Sequence, residues 1–426
     1  MRPFHKYIVQ YRRLLGGMLA CYGILLFTAT ACMIAAARLP HDAIAQNCSI
    51  SVNQLQRRGD GAEVAGCPLL RFDTFTDMIM LNVACSMTSQ TPVASAMRCR
   101  FFTNEAKDVF ATTPLLVAER FDHPDCYFLD YGRYWHGYLM TLRPLLAFFT
   151  YNEICLINLC AHVILLLLSL ILVWTRCSSR AAVCLLMALT FAAFPMAFFC
   201  LQFSTCFLLM YAGTVAVLAR RLTTRQAAYI FFVIGAATSF FDLLTTPQIT
   251  MGIPLATLLL SDKSKADIRH AVILASCWLA GYALMWLGKL PVAWLLIGDN
   301  IAGEFITNAI GRSSAGLSEL FELAGAKLGP KAATIIGFII LVGTAGLLTT
   351  CHWLWKYIRL HPLPADRRPW LLLIALSVPC WYMLMLQHSV IHYWFTWRAL
   401  AVTVFCLLLF YSDRIKKTVS KSQGAR

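Results

Sequence analysis

The run EICLINLCAHVILLLLSLILVW, residues 153–174, decides the fold. It opens on one acid, holds one histidine, and otherwise carries only uncharged side chains. Roughly 20 such residues cross about 30 Å of hydrocarbon as a helix, the form in which a chain satisfies its own backbone groups without water. Outward from it, apolar runs near 14–37, 181–201, 203–219, 227–241, 249–261, 270–288, 332–350, 369–386 and 397–411 bring the total to about ten membrane passes. The run at 249–261 is short and reads as a tilted or partly re-entrant element. With 59% hydrophobic and 13% charged residues among 426, the chain is too apolar for a soluble protein of this size. The expected class is an all-α polytopic membrane protein, residues 1–426 forming a single membrane domain.

Charge orients the passes. Threaded from an inside N-terminus, the cytoplasmic segments hold 21 Lys/Arg and 4 Asp/Glu, and the opposite face 15 and 17. The formal +15 therefore divides into +17 and −2, a topology signal that does not call for nucleic acid. Both termini are basic (Arg2, Lys6, Arg12 and Arg13; Arg414, Lys416, Lys417 and Lys421), which favours an even count with both ends cytoplasmic and the protein integral to the plasma (inner) membrane. The first run ends in Ala35-Ala36-Ala37 like a cleavable leader, but it is longer than a leader's apolar region, so an uncleaved first helix is expected.

One insertion interrupts this plan. Residues 38–136 form an extracytoplasmic loop far longer than an ordinary connection, with 9 Lys/Arg against 11 Asp/Glu. Apolar-periodic stretches at 74–87 and 92–102 predict surface helices within it. A second outer loop is expected over 289–331. Cys48, Cys67, Cys85, Cys99 and Cys126 lie in the first loop, where an oxidising compartment permits one or two disulfides of unspecified pairing. No Cys/His cluster has zinc spacing, so no cofactor is indicated, and a divalent metal is left open without a ligand set.

The candidate chemistry lies on the outer face. In Phe72-Asp73-Thr74-Phe75-Thr76-Asp77 the two acids stand four apart, so on a helix they share a face. Asp73 is equally placed to cap that helix, whereas Asp77 is the better general base. In GRYWHGYLMTLRPLL, Arg133 and His136 can face one way, either as an aromatic-basic belt or as cations beside a lipid-linked phosphate, and Arg143 places its stretch in the interface. His388 and His392 stand four apart before Arg398, without a third metal ligand, and suit phosphate better than a metal. Asp242, in FFDLLTTP, reads slightly better as a turn former than as a site acid. His162 is the clearest midplane ionisable group and reads as a satisfied core histidine.

A long acidic outer loop with surface helices after the first pass, followed by many passes, resembles the integral-membrane glycosyltransferases of the GT-C superfamily. The stretches FTDMIMLN, GRYWHGYLMTLRPLL, FFDLLTTP and HSVIHYWFTWR also resemble uncharacterised bacterial polytopic membrane proteins. The superfamily likeness implies a sugar donor on a polyprenyl phosphate at the outer leaflet, and a glycan, lipid or protein hydroxyl as acceptor. It implies Asp77 or Asp73 as the loop acid. That acid usually follows the first helix closely, a position held here by Asp42, the reserve candidate. Arg133, His136, His388, His392 and Arg398 would then hold the phosphate. The rivals are a transporter or flippase of lipid-linked glycans, and a non-catalytic membrane subunit.

Overall fold

The computed structural model describes residues 2–262, 267–299, 303, 306 and 368–423. The chain is predominantly helical. The long apolar run at 153–174 lies in α7 (Tyr151–Arg176), started by a capping box between Thr150 and Glu153. Its buried stripe is Tyr151, Ile154, Cys155, Asn158, His162, Leu166, Ser169 and Val173, recurring at helical spacing. The opposite face exposes Leu156, Ile164, Leu167, Ile171 and Trp174. Polar residues point inward and large apolar ones outward, the reverse of a helix on a water-soluble protein and the arrangement a lipid environment stabilises.

Among the described residues, five helical stretches are long and apolar enough to cross a membrane: 14–37, 151–176, 201–218, 268–297 and 393–411. They belong to α1 (Arg2–Ala37), α7, α9 (Leu201–Leu218), α12 (Ile268–Ile297) and the C-terminal segment, where α15 (Tyr393–Thr396) leads through a 3₁₀ turn into α16 (Leu400–Gln423). The other apolar runs also form helices: α8 (Ser179–Phe191), α10 (Thr224–Phe241), α11 (Gln248–Ser261) and α13 (Arg368–Leu384). The run at 332–350 lies outside the described residues. The expected pass at 181–201 is cut short after Phe191, because Ala193 turns left-handed (φ 50°) into a 3₁₀ turn at Phe194–Phe198. α12 continues to Ile297, so the chain at 289 is still helical, and most of the second expected loop lies outside the described residues. α11 is short, and every residue from Gln248 to Leu259 is buried, so protein encloses it on all sides. α10 and α12 approach at backbone distance. A Cβ on Gly235 would lie 1.9 Å from the Trp278 carbonyl oxygen, and one on Gly281 2.0 Å from that of Phe232. Reciprocal glycines of this kind allow the close crossing that membrane helices use.

The first long loop folds around its own hydrophobic core. It comprises α2 (Asp42–Arg58), the hairpin β1 (Glu63–Val64) and β2 (Cys67–Arg71), α3 (Thr74–Ser86), α4 (Pro92–Arg98), β3 (Phe101–Asn104), α5 (Val109–Val117) and β4 (Cys126–Leu129), before α6 (Leu139–Leu146). α3 and α4 fall where the apolar periodicity predicts helices. β4 pairs antiparallel with β3, Phe101 opposite Leu129. Asn82 fastens α3 to β3: its carbonyl oxygen accepts from Phe102 N at 2.7 Å and its amide donates to Phe102 O at 2.9 Å. Arg143 corrects an expectation. It is fully buried, and its guanidinium donates to the carbonyls of Ala36 (2.9 Å), Leu39 (2.8 Å), Met87 (3.3 Å) and Ala84. One cation thus satisfies carbonyls at the C-terminal ends of α1 and α3, where the helix dipole favours positive charge. Among the described residues the structure joins no two cysteines, the five of this loop included.

Candidate functional site

The start of α9 gathers the polar residues. Asp77, in the first turn of α3, is completely buried, and its carboxylate accepts from the backbone N–H of Leu201 (3.0 Å) and Gln202 (2.8 Å) and from the Tyr151 hydroxyl. It therefore caps a helix far along the chain, where backbone N–H groups and the dipole stabilise an anion. Asp73 caps its own helix, accepting from Thr76 N at 3.1 Å and Thr76 Oγ1 at 2.9 Å, so the capping role weighed from sequence is the one it fills. Burial pushes the Asp77 carboxyl up to about 6, against the opposing pull of Tyr151 and the Gln202 N–H, while Asp73 adds repulsion. Burial likewise raises Asp73, opposed by Thr76, the neighbouring Trp394 indole and Arg71.

A closed ring of contacts runs from these acids around one end of the bundle. Gln202 O accepts from Thr245 Oγ1 at 3.3 Å, and Asp242 accepts from Thr245 N at 2.8 Å and from the Thr245 hydroxyl, the turn expected of that sequence. Leu244, left-handed at φ 66°, presents its carbonyl 2.7 Å from His388 Nε2. His388 lies on α14 (Leu386–Ile391), and His392 follows its end; their rings are 4.7 Å apart, and His392 stacks on Phe395 at 5.1 Å. Phe395 meets Phe203 (6.3 Å), over which the Arg398 guanidinium sits at 4.2 Å, within electrostatic reach of Asp73. Arg398 is 1% exposed. It donates to Trp394 O and approaches Met196 Sδ at 3.1 Å, its Nε has no hydrogen bond, and it has no carboxylate partner among the described residues.

Arg133 and His136 stand on a different flank, against α12. His136 is buried in a left-handed conformation (φ 54°), with Nδ1 3.0 Å from Tyr138 Oη and Nε2 2.9 Å from Tyr131 O. Burial, then Lys289 and Arg133, hold its pKa well below the usual histidine range, so it is neutral at pH 7 and contributes no positive charge. The Arg133 guanidinium lies over the Tyr131 ring at 4.3 Å and the Tyr134 ring at 5.5 Å. Gly137 N donates to Phe240 O at 2.9 Å, tying this turn to α10. Asp42 is exposed in the first turn of α2, outside the ring. His162 is buried, with Nε2 3.0 Å from Ser204 Oγ, which donates to Asn158 Oδ1 at 2.5 Å.

One hollow adjoins the cluster and another lies in the first loop. The groove beside the cluster, about 380 Å³ between α3, α6, α7 and α9, is lined mainly by apolar side chains (Met80, Leu142, Ile154, Leu201 and Leu208 among them), with Tyr138, Thr141, Asn158, Ser204 and Thr205 as its polar members. Met80 lies one helical turn from Asp77, and Leu201 is one of the residues Asp77 caps. The second, about 610 Å³, opens between α3, α4, α5 and the β3–β4 hairpin, among Thr88, Thr91, Ser95, Arg98, Arg100 and Phe128. Among the described residues no three His, Cys, Asp or Glu side chains gather as metal ligands.

Sequence reasoning missed Tyr151, Arg58 and Lys289. Arg58 donates to Phe199 O (2.6 Å) and Tyr151 Oη (3.3 Å), and buried Lys289 donates to Tyr134 O. A lysine inside an apolar helix was the available signal for the last. Compared with known proteins, the chain matches no family model, no curated protein and no solved structure.

Proposed function

We propose that this protein is a glycosyltransferase that moves a sugar from a polyprenyl-phosphate-linked donor to an acceptor hydroxyl at the outer face of the membrane. In this proposal the chain crosses about ten times, both termini are cytoplasmic, and residues 38–136 face outward. The observation that carries the reading is Arg398: a buried guanidinium with an unsatisfied Nε and, among the described residues, no carboxylate bonded directly to it, Asp73 acting only at longer range. A buried cation with no directly bonded anion is costly, and a phosphate supplies what it lacks. In this scheme His388 and His392, linked to the guanidinium through the Phe395 and Phe203 rings, help to stabilise charge developing on the leaving phosphate. The groove beside Asp77 suits an isoprenoid chain entering from the bilayer. Asp77, held near a pKa of 6, is tuned for proton exchange with an acceptor hydroxyl once Tyr151 and the α9 N–H groups yield it. Arg133, against α12 among different partners, is given a second anionic group in this scheme, a diphosphate's other phosphate or an acceptor charge.

The test is binding first, turnover second. In nanodiscs, polyprenyl phosphate should quench the fluorescence of Trp394 and Trp397 at concentrations where polyprenol does not, and Arg398→Gln should abolish the difference. Equal affinity for the two lipids in the native protein would remove the phosphate from the reading. With radiolabelled polyprenyl-phosphate hexose and an envelope extract as acceptor, Asp77→Asn should lose at least about a hundredfold in transfer, the scale of a lost general base. The row Asn158, Ser204 and His162 along the groove favours one rival, a flippase. That rival predicts labelled lipid crossing liposome membranes chemically unchanged.

A further inference from the structure

Cys48 and Cys85 come from different helices of the outer segment and meet in its core. Cys48 is 0% exposed on α2 and Cys85 3% exposed on α3, and the two thiols are within hydrogen-bonding reach of each other. The Arg143 guanidinium lies beside both sulfurs, bonded to the Ala84 and Met87 carbonyls that flank Cys85. The other thiols of this segment are placed otherwise: Cys99 Sγ contacts Ala96 O at 3.2 Å, and Cys126 Sγ lies 3.6 Å from His123 Nδ1. Helices α2 and α3 pack against each other, which brings these two thiols into interaction.

We propose that Cys48 and Cys85 form a disulfide that staples α2 to α3, and so fixes the helix that carries Asp73 and Asp77. The inference rests on the outward placement of residues 38–136 proposed above. The oxidant is the disulfide of an extracytoplasmic thiol–disulfide oxidoreductase. Two cysteine thiols give up two protons and two electrons, one S–S bond forms here, and the oxidant's S–S bond opens to two thiols. In the finished core the Cys48 thiol, then burial, hold Cys85 well above the ordinary thiol range against the pull of Arg143, so the exchange needs a sulfur still open to solvent. Closure happens while the segment folds, before both sulfurs are sealed from solvent.

The experiment is peptide mass spectrometry on the full-length protein, isolated from membranes with free thiols alkylated under denaturing conditions and no reductant. The expected result is a Cys48–Cys85 linked peptide, two hydrogens lighter than its parts, that disappears on reduction and in Cys48→Ser and Cys85→Ser alike. A Ser89→Cys variant, at an exposed position of the same segment, is labelled in intact cells with a membrane-impermeant maleimide. Complete alkylation of Cys48 and Cys85 in protein whose introduced thiol at position 89 reacts from outside overturns the disulfide and leaves the topology standing. Another pairing overturns the assignment. Protection of the introduced thiol from the outside reagent overturns the topology, and the disulfide with it.

Discussion

Replacing Asp77 by Asn tests whether its carboxylate is held in the environment described above. A carboxyl whose native pKa is about 6, against an ordinary value of 3.8, binds more protons folded than unfolded in the interval between. Stability from this group is therefore full at acid pH and is lost as pH rises through that window. Each pKa unit corresponds to about 1.36 kcal/mol, so the loss reaches about 3 kcal/mol at neutral pH. An asparagine amide keeps the shape of the protonated acid and does not titrate. The difference in stability between Asp77→Asn and the native chain should move in the variant's favour by about 2 kcal/mol between pH 4 and pH 7.5. Any constant offset from the mismatched amide N–H cancels, as do titrating groups remote from position 77, whereas Asp73, which repels Asp77, does not. Thermal unfolding in detergent, followed by a thiol-reactive dye that reports the many buried cysteines, reads this as a relative Tm gain on the order of 5 °C. Parallel pH profiles for the two proteins would refute the proposed environment of Asp77.

Three further outcomes follow from the geometry. Tyr151→Phe removes a hydroxyl that donates to the Asp77 carboxylate, so the carboxyl should titrate higher still and the pH-dependent loss of stability should shift upward; an unchanged profile in the same dye assay contradicts the contact. Gly235→Ala drives a methyl into the Trp278 carbonyl and should cost about 3 kcal/mol or more, while Gly23→Ala, with nothing near its Cβ, should be neutral; equal Tm values for the two would disprove the close crossing of α10 and α12. Arg143→Lys should restore little of what Arg143→Met loses, about 3 kcal/mol, because an ammonium cannot fork across carbonyls from two helix ends; denaturant midpoints decide it.

The helices are legible because membrane burial is written in long unbroken runs, and α7 even shows its inward stripe. Partnering is not. Asp77 is chemically distinctive from its spacing to Asp73, yet the residues it caps lie 124 and 125 positions downstream, a distance no periodicity reports. Arg143 reads from sequence as an interfacial cation and Lys289 as part of an outer loop, but backbone carbonyls from elsewhere in the fold draw both inside. His136 keeps its position in the candidate set and loses its charge, since desolvation depends on neighbours that assemble only in three dimensions. The ring from Asp77 through Thr245, His388 and Arg398 joins separate stretches of chain. Each is visible alone, and their convergence is not.

The enclosed helix α11 has a consequence for biogenesis. It is flanked by α9, α10 and α12, which precede it or follow it closely, but also by α13 and α16, made only after the ribosome has passed residue 368. Gly252 is fitted against Val402, where a Cβ would come within 2.3 Å of a valine methyl. Until the C-terminal helices emerge, the face of α11 that meets α13 and α16, Gly252 included, lacks its final neighbours. The membrane machinery must therefore hold a half-built bundle open for most of translation. A nonsense codon anywhere before the last helix should then yield a chain that quality control removes, however complete its first long loop.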